Sequence, residues 1–148
     1  MTKLRTGDAW MPAPAYGGAL TGLTINLVVA SIEDSLRFHT RVLGAATVYS
    51  DPDIAVLRFR EAEWLLHAAH TYDDHPLIGR MGLNSAARPG GALAELRLHG
   101  RDPDEAEAIA RELGYEVLAA TKDKPHGLRE AYIFDETGYL WVPDVPVK

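Results

Sequence analysis

Hydrophobic residues recur along the chain in two series that have the same order of elements. Each series begins with a run typical of a strand, continues with a segment of helical periodicity and ends with three short runs typical of strands. The first series covers residues 24–30, 31–43, 47–50, 54–60 and 63–70. The second covers residues 93–99, 103–113, 116–120, 129–134 and 139–142. The pattern predicts an α+β fold of two tandem βαβββ modules, in which a cupped mixed sheet carries the helices on its outside.

Local signals define the ends of both predicted helices. Ser31 and Asp102 have side chains suited to the N-cap position, where they accept a bond from a free backbone N–H. Gly44 and Gly114 follow the last periodic residue, where a left-handed conformation commonly ends a helix. The equivalent ends of the two helices, together with the spacing of neighbouring residues, predict an internal duplication.

The duplication divides the chain into an N-terminal arm and one domain. The expected boundaries are an arm over 1–21 and a domain over 22–148, with module one at 22–70, a linker at 71–91 and module two at 92–148. Proline and glycine interrupt regular structure in the arm. Trp10 and Tyr16 predict that the arm docks by local packing or a dimer contact, and both are also available to line the mouth of a pocket.

Composition restricts the classes of function. The 148 residues are 47% hydrophobic and 24% charged, which is typical of one soluble domain. A net charge of −6 argues against binding to nucleic acid or to an anionic membrane surface. The absence of cysteine excludes disulfides, thiolate metal sites and cysteine nucleophiles. We expect a cytoplasmic protein, because the sequence shows neither a secretory signal nor an apolar run of the roughly 20 residues that span a bilayer.

Four motifs together resemble a known superfamily. They are INLVV in the first strand, Ser35 to Gly44 in the first helix, KPHGLRE at 124–130 and FDETGYLWVP at 134–143. With these motifs, residues 22–145 resemble the vicinal oxygen chelate superfamily, which includes glyoxalase I, bleomycin-resistance proteins and extradiol dioxygenases. The last motif departs from the superfamily signature at Glu136 and Thr137, which stand in place of Pro and Asp.

The resemblance implies a cavity inside a cupped sheet, often in a homodimer, and in some members a metal held by His or Glu on four strands. The four ligand positions fall on Thr24, His67, Glu95 (or Ala94 if the register slips by one) and Val142. Valine has no donor atom, and a threonine hydroxyl is a poor ligand for a divalent metal. The resemblance therefore leaves His67 and Glu95 as the candidate metal or catalytic residues.

Strand alternation predicts which side chains face the cavity. The candidate ligand-binding residues are Thr24, Asn26, His67, Glu95, Arg97 and Val142. Four of these residues have structural alternatives. Glu95 and Arg97 could form only an ion pair, His67 could be a hydrogen-bonded histidine of the sheet, and Asn26 could bond a neighbouring backbone group.

Other notable residues are assigned structural roles. His39 lies on the apolar side of the first helix, and Trp64 and Trp141 are expected to anchor the core. His70 should lie on the strand face opposite His67, and with His75 it is best explained as part of a solvated linker.

Three functions remain open. The first is a protein that binds a small organic molecule without the full metal site and without a cofactor, as antibiotic-sequestering members of the superfamily do. The alternative is an enzyme, a lyase, isomerase or dioxygenase, in which His67 and Glu95 hold a divalent metal or act as acid and base. A metal would need a further ligand, such as His75 or Asp74 of a dimer partner. The third is a domain that only mediates interactions.

Overall fold

The computed structural model describes residues 2–20, 23–73, 94–125 and 127–147. These residues form two compact units. The first contains the described residues up to Glu33 and from Ala45 to residue 73, and the second contains 34–44 and 94–147. Each unit holds one four-stranded mixed sheet, so the predicted α+β fold is confirmed.

The first sheet is built around strand β4. Its strands are β1 (Asn26–Val29), β2 (Ala46–Ser50), β3 (Ile54–Phe59) and β4 (Ala62–Ala68). The spatial order is β1-β4-β3-β2, with β1 parallel to β4 and the other neighbours antiparallel. The carboxylate of Asp51 closes the turn between β2 and β3, since it accepts bonds from the N–H groups of Asp53 and Ile54 at 2.7 and 2.8 Å.

The arm contains a short helix, α1 (Ala13–Ala19), where the sequence predicted irregular chain. The proline and glycine content misled the prediction. Pro14 lies in the first turn, where its missing N–H has no helical partner to lose, and two glycines are tolerated within so short an element.

The second sheet repeats the topology of the first. Its strands are β5 (Leu96–His99), β6 (Val117–Asp123), β7 (Leu128–Phe134) and β8 (Leu140–Pro146), in the spatial order β5-β8-β7-β6. Strand β8 lies between parallel β5 and antiparallel β7. Because β8 is paired on both sides, it continues past Pro143 and ends at Pro146, four residues beyond the predicted end at 142.

Two helices complete the described structure. Helix α2 (Ile32–Arg37) continues as a wider π-helical turn (Phe38–Val42), and α3 spans Pro103–Leu113. Asp102 caps α3 as predicted, accepting bonds from two backbone N–H groups, and Gly114 ends it in the left-handed region at φ 81°. No helix in the described ranges is long and apolar enough to cross a membrane.

The core of the second unit confirms the expected aromatic anchor. Trp141 is 4% exposed, and its indole N–H donates to the buried carboxylate of Asp135 at 3.0 Å. His39, with no exposed surface, meets Trp141 edge to face at 5.2 Å between ring centroids. Burial lowers the pKa of His39 from 6.5 to about 3, so the imidazole is neutral. Trp64, in the first unit, is equally buried.

The remaining boundary corrections concern strand ends. Strand β1 begins at Asn26, so Thr24 precedes it, and β4 ends at Ala68, where a 3₁₀ turn (Ala69–Tyr72) begins. His70 is therefore in a turn, and the expectation that it lies on a strand face was wrong. Most of the expected linker, with Asp74 and His75, lies outside the described residues.

Candidate functional site

His67 occupies the middle of the first unit's sheet. It is paired in register with Val28 of β1 and Ile54 of β3, so these three residues share one row. The side chain is half-buried, and burial lowers its pKa below the ordinary value. The ring of Tyr72 meets it edge to face at 5.8 Å. His67 is thus a neutral imidazole at physiological pH, the form that can accept a proton or bind a metal.

Two other candidates from the sequence lie near the edge of the same sheet. Asn26 opens β1 opposite Leu65, and strand alternation puts it on the face of His67, with its side chain exposed. Thr24 is half-buried just before β1. Among the described residues, neither shares a polar partner with His67, so the structure brings them to one side of the sheet without joining them into a cluster.

The N-terminal arm packs on this same face of the first sheet, the face of His67. Register places Tyr49, Val56 and Leu65 in one row, two residues before the row of His67. Trp10 stacks on Tyr49 with 4.3 Å between ring centroids, and the hydroxyl of Tyr16 donates to Glu63 at 2.8 Å. Glu63 alternates onto the face of His67. The arm therefore docks by local packing beside a candidate binding residue.

Asp53 fixes the start of the arm. Its buried carboxylate accepts bonds from the N–H groups of Leu4 and Arg5, at 2.7 and 3.4 Å, and contacts Nε2 of His70 at 2.8 Å. Burial acts to raise the pKa of Asp53, but these bonds outweigh it and the pKa is lowered. His70 therefore contributes to a structural clasp, and its assignment to a solvated linker was wrong.

The second unit carries a dense polar network centred on Arg97. The Nη1 atom of Arg97 lies 2.9 Å from Glu95, while Nη2 contacts Glu130 and lies 3.2 Å from Asp144. Burial acts to lower the pKa of Arg97, yet its bonds to Glu130 and Glu95 prevail and raise it. Three carboxylates thus hold one permanently charged guanidinium in place.

The network extends across three strands. Glu130 and Asp144 are fully buried, at 0% and 1% exposure. The hydroxyl of Tyr132 donates to Glu130 at 2.7 Å, and Nδ1 of His99 lies 2.7 Å from Asp144. Lys124 lies 3.8 Å from Glu130 and 5.1 Å from the centre of the Tyr132 ring. We call Glu95, Arg97, His99, Lys124, Glu130, Tyr132 and Asp144 the arginine network.

Val142 is a fully buried apolar residue beside this network. It is paired in register with Arg97 and alternates with Trp141, whose ring contacts His39 in the π-helical turn that follows α2. Val142 and Arg97 therefore share the face turned away from the helix. The guanidinium of Arg97 consequently lies next to Val142, the residue to which the resemblance assigned the fourth ligand position.

These residues do not fit a four-ligand metal centre. Val142 has no donor atom, Thr24 offers only a hydroxyl, and Glu95 is already paired with Arg97. The positive charge of Arg97 also disfavours a divalent cation nearby. Within the part of the chain that the structure describes, no three His, Asp or Glu side chains form a group able to hold a metal. His67 belongs to the first unit and Glu95 to the second.

Sequence reasoning identified Glu95 and Arg97 but missed their buried partners. Glu130 and Tyr132 alternate onto one face of a predicted strand, and that period was the available signal for them. Asp144 gave no such signal, because Pro143 suggested that the last strand had already ended.

A family model matches most of the chain. The profile of the Glyoxalase/Bleomycin resistance protein/Dioxygenase superfamily matches residues 23–142. The chain belongs to this superfamily. The matched region starts after the arm. No curated protein matches the sequence significantly.

Solved structures agree with the fold. A glyoxalase-related enzyme from Fulvimarina pelagi is 21% identical, with a TM-score of 0.64 over 84% of this chain and 87% of that one. A family enzyme from Burkholderia phytofirmans PsJN is 13% identical, with a TM-score of 0.68 over 84% and 97%. TioX from Micromonospora sp. ML1 is 17% identical, with a TM-score of 0.60 over 86% and 99%. At these identities the similarity supports the fold alone.

Proposed function

We propose that this superfamily member binds a small organic molecule non-covalently, without the four-ligand metal site. The observation that carries the proposal is the guanidinium of Arg97, which buried carboxylates hold beside Val142, the residue to which the resemblance assigned the fourth ligand position. On this face of the second sheet, Arg97 offers hydrogen-bond donors to a ligand where a metal centre would need donor atoms for a cation.

The composition of this face supports binding. Small-molecule sites usually combine apolar surface with a few oriented polar groups. The half-buried ring of Tyr132 supplies apolar surface, and the guanidinium of Arg97 and the hydroxyl of Tyr132 supply oriented polar groups. Because buried carboxylates already fix these groups, a ligand would not have to order them, which reduces the entropic cost of binding.

The second candidate is a metal-dependent lyase, isomerase or dioxygenase that uses His67. The neutral, half-buried imidazole of His67 favours it, since a metal binds that form. Its second ligand, Glu95, would first have to leave Arg97.

Metal analysis separates the two candidates. We would measure metals by elemental mass spectrometry in protein purified without chelator or tag, before and after soaking with zinc, nickel, manganese and iron. We expect no stoichiometric metal in the wild type or in His67→Ala. About one metal per chain that is lost in His67→Ala, but kept in the matched histidine control His99→Ala, would refute metal-free binding.

We also propose a homodimer, on the basis of exposed apolar side chains. Leu23, Ile25, Val48 and Leu118 are between 36% and 90% exposed. Light scattering coupled to size exclusion would measure the mass, and a 16.2 kDa species at micromolar concentration would contradict the proposal. The cytoplasm remains the proposed compartment, supported by the lack of cysteine.

A further inference from the structure

We propose that Arg97 recognises a carboxylate group of the ligand, which takes the place of Glu95. The inference rests on the proposed small-molecule function and names the ligand class: an organic acid with an apolar or aromatic body. Glu95 would then act as an internal substitute for the ligand in its absence.

The three carboxylates around Arg97 are not equivalent. Glu130 and Asp144 are fully buried within strands, and each has a further partner, Tyr132 and His99 respectively. The side chain of Glu95 is 45% exposed and lies before the first residue of β5, and within the described residues its polar contact is with Arg97. Glu95 is therefore the partner that can exchange with a ligand, while the other two hold the guanidinium in place.

The charges of the network also allow Glu95 to leave its position. Glu130 and Asp144 balance the positive charges of Arg97 and Lys124. Glu95 is therefore not needed for neutrality, and a bound carboxylate would take over its bond to Nη1 of Arg97. A neutral ligand that displaced Glu95 would leave Nη1 of Arg97 without its charged partner.

The free-energy cost of releasing Glu95 is small, because an exposed ion pair contributes little to stability. The incoming carboxylate recovers a charge-assisted bond to Arg97. The ligand's apolar body would add contact with the half-buried ring of Tyr132, which shares the face of Arg97.

Benzoate tests the inference in the full-length chain. We would titrate benzoate, the neutral isostere benzamide and the cation benzylammonium, and follow the side-chain Nε–H signal of Arg97 by NMR. Arg97→Lys assigns that signal by its loss, and thermal unfolding checks that this variant folds. Glu95→Gln removes the competing charge, and Glu112→Gln, at an exposed position of α3, makes the same charge change away from the network.

We expect saturable binding of benzoate, weaker binding of benzamide, and a gain of about threefold to fivefold in benzoate affinity in Glu95→Gln but not in Glu112→Gln. Equal affinities for benzoate and benzamide would overturn the carboxylate class but leave small-molecule binding intact. Preferential binding of benzylammonium, weakened by Glu95→Gln, would also overturn it. Absence of saturable benzoate binding at millimolar concentration would overturn the assignment of Arg97, whereas stoichiometric metal would overturn the proposed function itself.

Discussion

Replacing His39 by Gln should remove a large part of the acid sensitivity of folding. His39 has no exposed surface and is enclosed by aromatic rings, with Phe38 at 5.7 Å and Trp141 at 5.2 Å between centroids. Burial lowers its pKa from 6.5 to about 3. The unfolded chain therefore takes up a proton below pH 6.5 that the folded chain does not, and stability falls as the pH drops.

The magnitude follows from the two pKa values. Between about pH 7.5 and about pH 5, proton uptake by the unfolded chain should lower the free energy of unfolding by about 2 kcal/mol. The result is insensitive to the folded pKa, because any value well below pH 5 leaves the folded histidine neutral. His39→Gln should thus be less destabilising near pH 5 than near pH 7.5 by about 2 kcal/mol, whatever its cost at neutral pH.

Urea unfolding at the two pH values measures the difference. Val42→Ala is the matched control, because Val42 is fully buried in the same helical segment and does not titrate. Its destabilisation should be equal at both pH values. If His39→Gln behaves in the same way, His39 is not held neutral by burial, and the reasoning is refuted.

Two further predictions concern buried aspartates. Burial raises the pKa of Asp135 from 3.8 to about 6, so the charged form that exists at neutral pH opposes folding. In urea unfolding, the change in the free energy of unfolding caused by Asp135→Asn should be more stabilising near pH 7.5 than near pH 4, by about 2 kcal/mol. Equal changes at the two pH values would contradict this. Asp53→Ala removes the acceptor of Leu4, Arg5 and His70, so it should cost about 2–3 kcal/mol and increase acrylamide quenching of Trp10. The control Asp102→Ala removes one helix cap, at a cost of about 1 kcal/mol, and should leave Trp10 unchanged; equal quenching in both variants would disprove the clasp.

The sequence was informative wherever the controlling interactions are local. The cap at Asp102 and the left-handed Gly114 act within one helical turn, and both were predicted correctly. Strand alternation likewise placed Arg97 and Val142 on one face, since the period of two belongs to the strand itself. Residues 22–145 were also sufficient to predict the superfamily.

Tertiary structure decided how those faces are used. Arg97 meets Glu130 and Asp144 across 33 and 47 positions of chain, and only the order β5-β8-β7 makes them neighbours. Pairing on both sides, rather than local propensity, carries β8 past Pro143 and positions Asp144. The arm likewise shows aromatic character in its sequence, but its attachment to the face of His67 depends on Tyr49, Asp53 and Glu63. Periodicity and caps are short-range properties of the chain, whereas a binding face is assembled from strands that are distant in sequence, so its partners emerge only when the sheet has formed.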